Sequence, residues 1–252
     1  MQVSYQPAIH LVLTKARNNG STALPWFAGV LALSLALNEA IGCGMAERGN
    51  SYRNPALIIV DMQNDFVRLD GPLRVPDALG TVPEHLDLIS AFRAAGCPVI
   101  YTKFLSHQVA NLGWTWSPEC EPATKCCWKG HSRYYPDVGQ SLECTDIIEE
   151  LYPDTDDLII EKYGYGAFHD TELNDDLARM GVGSLVITGT VTQICVEETG
   201  REAFHRGYPT TLVSDAVSSF DTELHRATLR NFAMKFGWVQ TVAEVNAAIQ
   251  NL

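Results

Sequence analysis

The chain has 252 residues, a formal net charge of −12, 46% hydrophobic and 19% charged residues. That balance excludes a disordered chain and a membrane bundle, and an acidic surface argues against a nucleic-acid partner, since phosphate binding needs a basic face. Cysteines at 43, 97, 120, 126, 127, 144 and 195 form no Cys-x-x-Cys pair, so neither a thioredoxin motif nor a zinc ribbon is indicated and a reduced, cytoplasmic setting is expected.

The N-terminal stretch differs from the rest. Lys15 and Arg17 precede an apolar run, Ala23 to Leu37, too short for a comfortable membrane span. A secretory signal, a buried or interfacial helix and an extension upstream of the functional unit all fit it. The polar leader opening at Met45 favours the last. The expectation is a dispensable extension over residues 1–50, with Met45 as the natural start, and one domain over 51–252.

From there the elements alternate. Ala56 to Asp61 is an apolar strand ending in a carboxylate. Residues 80–95 place Val82, Leu86, Ile89 and Phe92 on one helical face, closed by Gly96. Pro98 to Lys103 is the second strand and Asp157 to Lys162 the third, with a helix across Leu173 to Met180. The fourth strand runs from Ser184 to a Gly-Thr turn at Gly189, with Cys195 at the mouth of the next helix. Thr210 to Asp215 is the fifth strand. Residues 221–235 read as a helix with Leu224, Ala227, Thr228 and Met234 inward. A short strand at Trp238 to Gln240 and a helix over 242–249 finish the chain. Unbroken apolar strands alternating with helices predict an α/β three-layer, Rossmann-like fold, with a six-stranded, mostly parallel sheet covered on both faces. An insertion at about 105–145, rich in Trp, Tyr and Cys, reads as a packed lid or pocket wall, with an oligomer contact as the alternative.

Ligands of open parallel sheets bind at the carboxyl ends of the strands. Asp61, Lys162 and Cys195 all stand at such ends. Each alone has a bland explanation: a turn former, a solvated lysine, a structural thiol. Together they supply a nucleophile, a base and a cation that keeps the base ionised. A thiol at a helix N-terminus also faces the positive end of the helix dipole, which favours the thiolate.

Three segments carry a family resemblance: Val60-Asp61-Met62-Gln63-Asn64-Asp65-Phe66, Glu161-Lys162-Tyr163-Gly164-Tyr165-Gly166-Ala167-Phe168-His169-Asp170-Thr171 and Gly189-Thr190-Val191-Thr192-Gln193-Ile194-Cys195-Val196. They resemble the isochorismatase-like cysteine hydrolases, which include nicotinamidases, N-carbamoylsarcosine amidases, ureidoacrylate amidohydrolases and biuret hydrolases. The resemblance covers nearly everything after Pro55. It implies a catalytic triad of Asp61, Lys162 and Cys195, a cis peptide at Thr190–Val191, and an oxyanion hole from the backbone N–H groups of Val191 and Cys195. It also implies a homo-oligomer, dimer or tetramer. True isochorismatases carry Gly at the nucleophile position, so Cys195 points to amide hydrolysis through a thioester.

Nicotinamidases of this superfamily hold a metal with an Asp-x-His pair after the second strand. The corresponding Tyr101-Thr102-Lys103-Phe104-Leu105-Ser106-His107 lacks the Asp, so no metal, no cofactor and a substrate other than nicotinamide are expected. Cys120, Cys126, Cys127 and His131 are zinc-type donors, but their spacing matches no common site. Phe66, Trp114, Trp116, Tyr165 and Phe168 are candidate pocket walls, with core packing as the alternative. Lys129 and Arg133 either pair a substrate carboxylate or face water. Gln63 and His169 are candidates to orient a planar amide. The expected substrate is a small amide, carbamoyl or ureido compound. The alternative from another class is a non-catalytic binding or scaffold protein. Gly164-x-Gly166 and Gly181-x-Gly183 lack the strand-to-helix context of a dinucleotide loop.

Overall fold

The structure, a computed structural model, describes residues 52–252; the expected N-terminal extension lies outside the described residues. β1 (Pro55–Val60), α1 (Asn64–Val67), α2 (Val82–Ala94) and β2 (Val99–Phe104) come first. The insertion contributes a short helix α3 (Leu112–Trp116) and a hairpin of β3 (Ser132–Tyr135) and β4 (Gln140–Glu143). β5 (Leu158–Lys162), α4 (Leu173–Arg179), β6 (Ser184–Thr190), α5 (Glu197–His205), β7 (Thr210–Ser218), α6 (Thr222–Lys235), β8 (Trp238–Gln240) and α7 (Val242–Ile249) complete it. The main sheet has six strands in the order β5-β2-β1-β6-β7-β8, all pairs parallel. The order reverses between β1 and β6, so the crevice where parallel sheets bind ligands lies there.

β1 shows why the strands read as unbroken apolar runs. Leu57 and Ile59 enter one core with Leu88 and Phe92 of α2 and Val245 and Ile249 of α7. Ala56, Ile58 and Val60 enter the other with Leu177 of α4, Ala203 of α5 and Phe232 of α6. With helices on both faces, every β1 side chain is buried. Gly189 lets β6 pass close to β1: its φ is +102°, and a Cβ there collides with the carbonyl oxygen of Val60.

Two helix faces differ from the expectation. On α2, His85 and Leu88 join Val82, Ile89 and Phe92 inside, whereas Leu86 is 47% exposed. The buried line advances by threes and fours from Val82, and Leu86 falls about 100° past His85. On α6, Thr228 and Phe232 are buried, one turn apart. Ala227 and Met234 lie off that line and are exposed, and Leu224, in the first turn, is 48% exposed. No helix among the described residues is long and apolar enough to cross a membrane.

Candidate active site

Asp61 follows β1, Lys162 ends β5 and Cys195 lies in a π-helical turn, Thr192–Val196, between β6 and α5. Parallel strands bring their carboxyl ends to one edge, which is how residues a hundred positions apart meet. Asp61 leaves β1 with φ +50°, a left-handed conformation that a short polar side chain tolerates better than most. Its carboxylate is fully buried. Oδ1 accepts from Thr102 Oγ1 at 2.6 Å and Oδ2 from Lys162 Nζ at 2.7 Å. The ammonium donates also to the carbonyls of Tyr165 at 2.9 Å and Gly164 at 3.2 Å, and stands 5.4 Å from the centre of the Phe104 ring. Both ends of the ion pair are shielded from water.

Burial opposes the Lys162 ammonium, but the Asp61 carboxylate and the Cys195 sulfur outweigh it and the Lys162 pKa is raised. Burial above all pushes the Cys195 thiol up to about 12, helped by Asp61 and opposed by Lys162. Loss of solvent beside a carboxylate thus works against the helix dipole and the ammonium, both of which favour the thiolate. The Thr190–Val191 peptide is cis, and Val191 is buried.

Of the expected pocket residues, Trp114, Trp116 and Tyr165 line a cavity of about 360 Å³, with Phe104, His107 and Tyr163. This cavity abuts the ion pair through Phe104, Gly164 and Tyr165; Cys195 is not in its wall. Six other candidates lie outside its wall. Gln63 donates to the carbonyls of Phe104 and Thr145 at 3.0 Å each and accepts from Phe104 N at 2.7 Å, so its amide pins β2 to the end of the insertion. Phe66 packs in the core against Phe104, and Phe168 is buried against Tyr208 under Arg206. Arg133 donates to Asp65 Oδ1 at 3.1 Å and to the Thr124 carbonyl at 2.7 Å, away from the cavity. Lys129 pairs with Glu161, and His169 faces solvent beside Asp170. Thr102 and Phe104, which support the ion pair, are the residues the sequence reading missed. Nothing in strand periodicity marks them; only the β1–β2 register puts them beside Asp61.

The residues do not fit a metal at the His107 position. His107 stacks on Tyr163 with ring centres 4.5 Å apart and belongs to no ligand cluster among the described residues.

The family model described as the isochorismatase domain matches residues 55–244. The ureidoacrylate amidohydrolase RutB of Methylobacterium radiotolerans is 32% identical over 205 residues, covering 77% of this chain and 78% of that protein. Nicotinamidase 3 of Arabidopsis thaliana is 30% identical over 195 residues, covering 77% and 87%. The cysteine hydrolase from Pseudomonas syringae pv. phaseolicola superposes with a TM-score of 0.71 at 28% identity, covering 81% of this chain and 99% of that one. With its parallel sheet, and a buried Asp61–Lys162 pair that interacts with the Cys195 thiol at the strand ends, the chain belongs to the isochorismatase-like cysteine hydrolases.

Proposed function

We propose that the protein is a cysteine amidohydrolase that cleaves the C–N bond of a small amide, carbamoyl or ureido compound through a thioester. The observation that carries this reading is the water-shielded Asp61–Lys162 pair beside the buried Cys195 thiol. A thiol needs a base at the moment of attack, and Asp61 is in reach. Asp61 takes the thiol proton while the Lys162 ammonium offsets the charge that forms on sulfur. Cys195 Sγ adds to the carbonyl carbon, and the oxyanion is held by the N–H groups of Val191 and Cys195, each worth about 3 kcal/mol. Protonated Asp61 hands its proton to the departing nitrogen, which leaves as ammonia or a small amine. Asp61 then deprotonates a water that hydrolyses the thioester, and the proton returns to sulfur. The net change is amide plus water to acid plus amine.

The cavity beside the pair suits a small planar head group. Its described wall is aromatic and carries no Lys or Arg, which supports an uncharged substrate end. The free cysteines among the described residues support a reducing, cytoplasmic location. Phe220, Leu224 and Met234, exposed at and near α6, support a homo-oligomer. Residues 51–252 are read as the functional unit, so a chain starting at Met45 retains turnover. The test is ammonia release over a panel of small amides and ureides, with and without a chelator. The reading expects turnover of at least one uncharged member, absent in Cys195→Ala. Turnover that survives in Cys195→Ala contradicts it.

A further inference from the structure

The insertion gathers a second group of reactive side chains, apart from the triad. Cys120, Cys126, Cys127 and Cys144 are all buried and all free. The sulfurs of Cys126 and Cys127 are 3.6 Å apart, and Cys126 also interacts with Cys120. One carboxylate oxygen of Asp65 and the sulfurs of Cys126 and Cys127 all lie within 4.8 Å of one another. Asp65 is held in place from three sides, by Cys127 N at 2.8 Å, Arg133 Nε at 3.1 Å and Tyr135 Oη at 2.7 Å. Lys125 and Cys127 adopt left-handed conformations, φ +57° and +52°, and the loop turns both neighbouring sulfurs to the same interior.

We propose that Cys120, Cys126, Cys127 and Asp65 form a binding site for a thiophilic divalent cation of the zinc class, which fastens the cavity wall to α1.

Zinc–thiolate bonds of about 2.3 Å put two tetrahedral sulfurs about 3.8 Å apart, and the Cys126–Cys127 pair already stands near that spacing. A disulfide between the adjacent Cys126 and Cys127 fits less well. Adjacent Cα atoms are about 3.8 Å apart, below the usual disulfide span of about 4.4–6.8 Å. Arg133 places a positive charge beside the carboxylate, partly balancing three thiolates and a carboxylate around a divalent ion. Arg133 and Tyr135 fix the carboxylate's orientation, the supporting role that outer partners play at metal sites. Cys120 also lines the cavity, giving the ion a route in. Binding releases one proton from each thiol to solvent and changes no oxidation state, so affinity climbs with pH. The donor set differs from the grouping that the sequence suggests: Asp65 joins Cys126 and Cys127 in one cluster, Cys120 adjoins it through Cys126, and His131 is not in it. The inference does not depend on the amidohydrolase reading.

The test uses the full chain, reduced, titrated with Co²⁺ as a spectroscopic stand-in for Zn²⁺. The expected result is one equivalent per chain with tetrahedral bands and sulfur-to-metal charge transfer, and a rise in Tm on adding Zn²⁺. Both signals are lost in Cys126→Ser and in Cys127→Ser, and both persist in Cys97→Ser and Cys195→Ser. Should either of the first two variants not fold, Cys120→Ser, which leaves the neighbouring pair intact, serves instead; it shifts the charge-transfer band and weakens binding. Absence of a thiolate band in the wild-type chain, its persistence without Cys126 or Cys127, an unchanged band in Cys120→Ser, or its loss in Cys195→Ser overturns the proposal.

Discussion

Asp61 and Asp65 stand four positions apart, and both carboxylates are completely buried. Each is paired with a cation, Lys162 or Arg133, and each has thiols as neighbours. Their surroundings nevertheless differ. Asp65 sits in α1 and receives a backbone N–H, a guanidinium and a phenol, so its acceptor sites are largely filled by fixed donors. Asp61 leaves a strand in a left-handed turn, and its carboxylate accepts from one hydroxyl and one ammonium. That leaves acceptor capacity on Asp61 toward Cys195. A buried ion pair is therefore no signature of catalysis by itself; spare acceptor capacity beside a nucleophile is the distinguishing feature.

Four experiments bear on that contrast, beginning with the largest expected effect. Cys195→Ala should lower turnover by about 10⁴-fold or more while the protein keeps its fold by circular dichroism. Lys162→Met strands the Asp61 carboxylate in a site closed to water; denaturant unfolding should show a loss of about 3–5 kcal/mol, together with loss of turnover. Arg133→Met should be milder. Tyr135 and Cys127 still bind Asp65, so about 2 kcal/mol of stability goes and kcat changes little. A kcat loss as deep as that of Lys162→Met would erase the contrast between the two carboxylates.

The fourth concerns buried groups without an ionic partner. His85 is buried, with Nδ1–H donating to the Thr81 carbonyl at 2.7 Å and Nε2 unpaired. Burial lowers its pKa to about 4. The unfolded chain binds a proton at about pH 6.5 that the folded chain refuses until about pH 4. The contribution is thus fully present above pH 6.5 and is lost as pH falls through that window, on the order of 3 kcal/mol. Unfolding curves at pH 7 and pH 4.5 should show the wild-type chain losing about 2 kcal/mol more stability between the two pH values than His85→Leu does. Cys195 has the opposite sign. With its pKa raised, the protonated thiol is favoured in the fold, and thiolate absorbance in the wild-type-minus-Cys195→Ala difference should stay flat from pH 6 to pH 9.

Much of the architecture is legible from the sequence because a strand buried on both faces must be apolar throughout. β1 and β6 announce themselves that way, and the abrupt carboxylate and thiol that follow mark the strand ends. The strand order is not legible, since crossover lengths do not encode which side of β1 the next strand takes. Side-chain direction is the other gap. Gln63, Phe66 and Phe168 sit within the motifs, yet their backbone positions turn them into the core, and Arg133 is claimed by Asp65. Trp114 and Tyr165 do reach the cavity wall. The raised pKa of Cys195 also escapes a local reading, because it comes first from burial in the assembled fold and then from Asp61, brought near by the sheet rather than the helix.

The central claim is that Cys195, and none of the thiols around Asp65, carries the acyl group. Intact-mass and peptide-mapping spectrometry on protein quenched during turnover of an amide or ureide tests it directly. The account predicts a single acyl increment on the peptide holding Cys195, absent in Cys195→Ala. Turnover with no adduct dependent on Cys195, or an adduct mapped to Cys126 or Cys127, would contradict it.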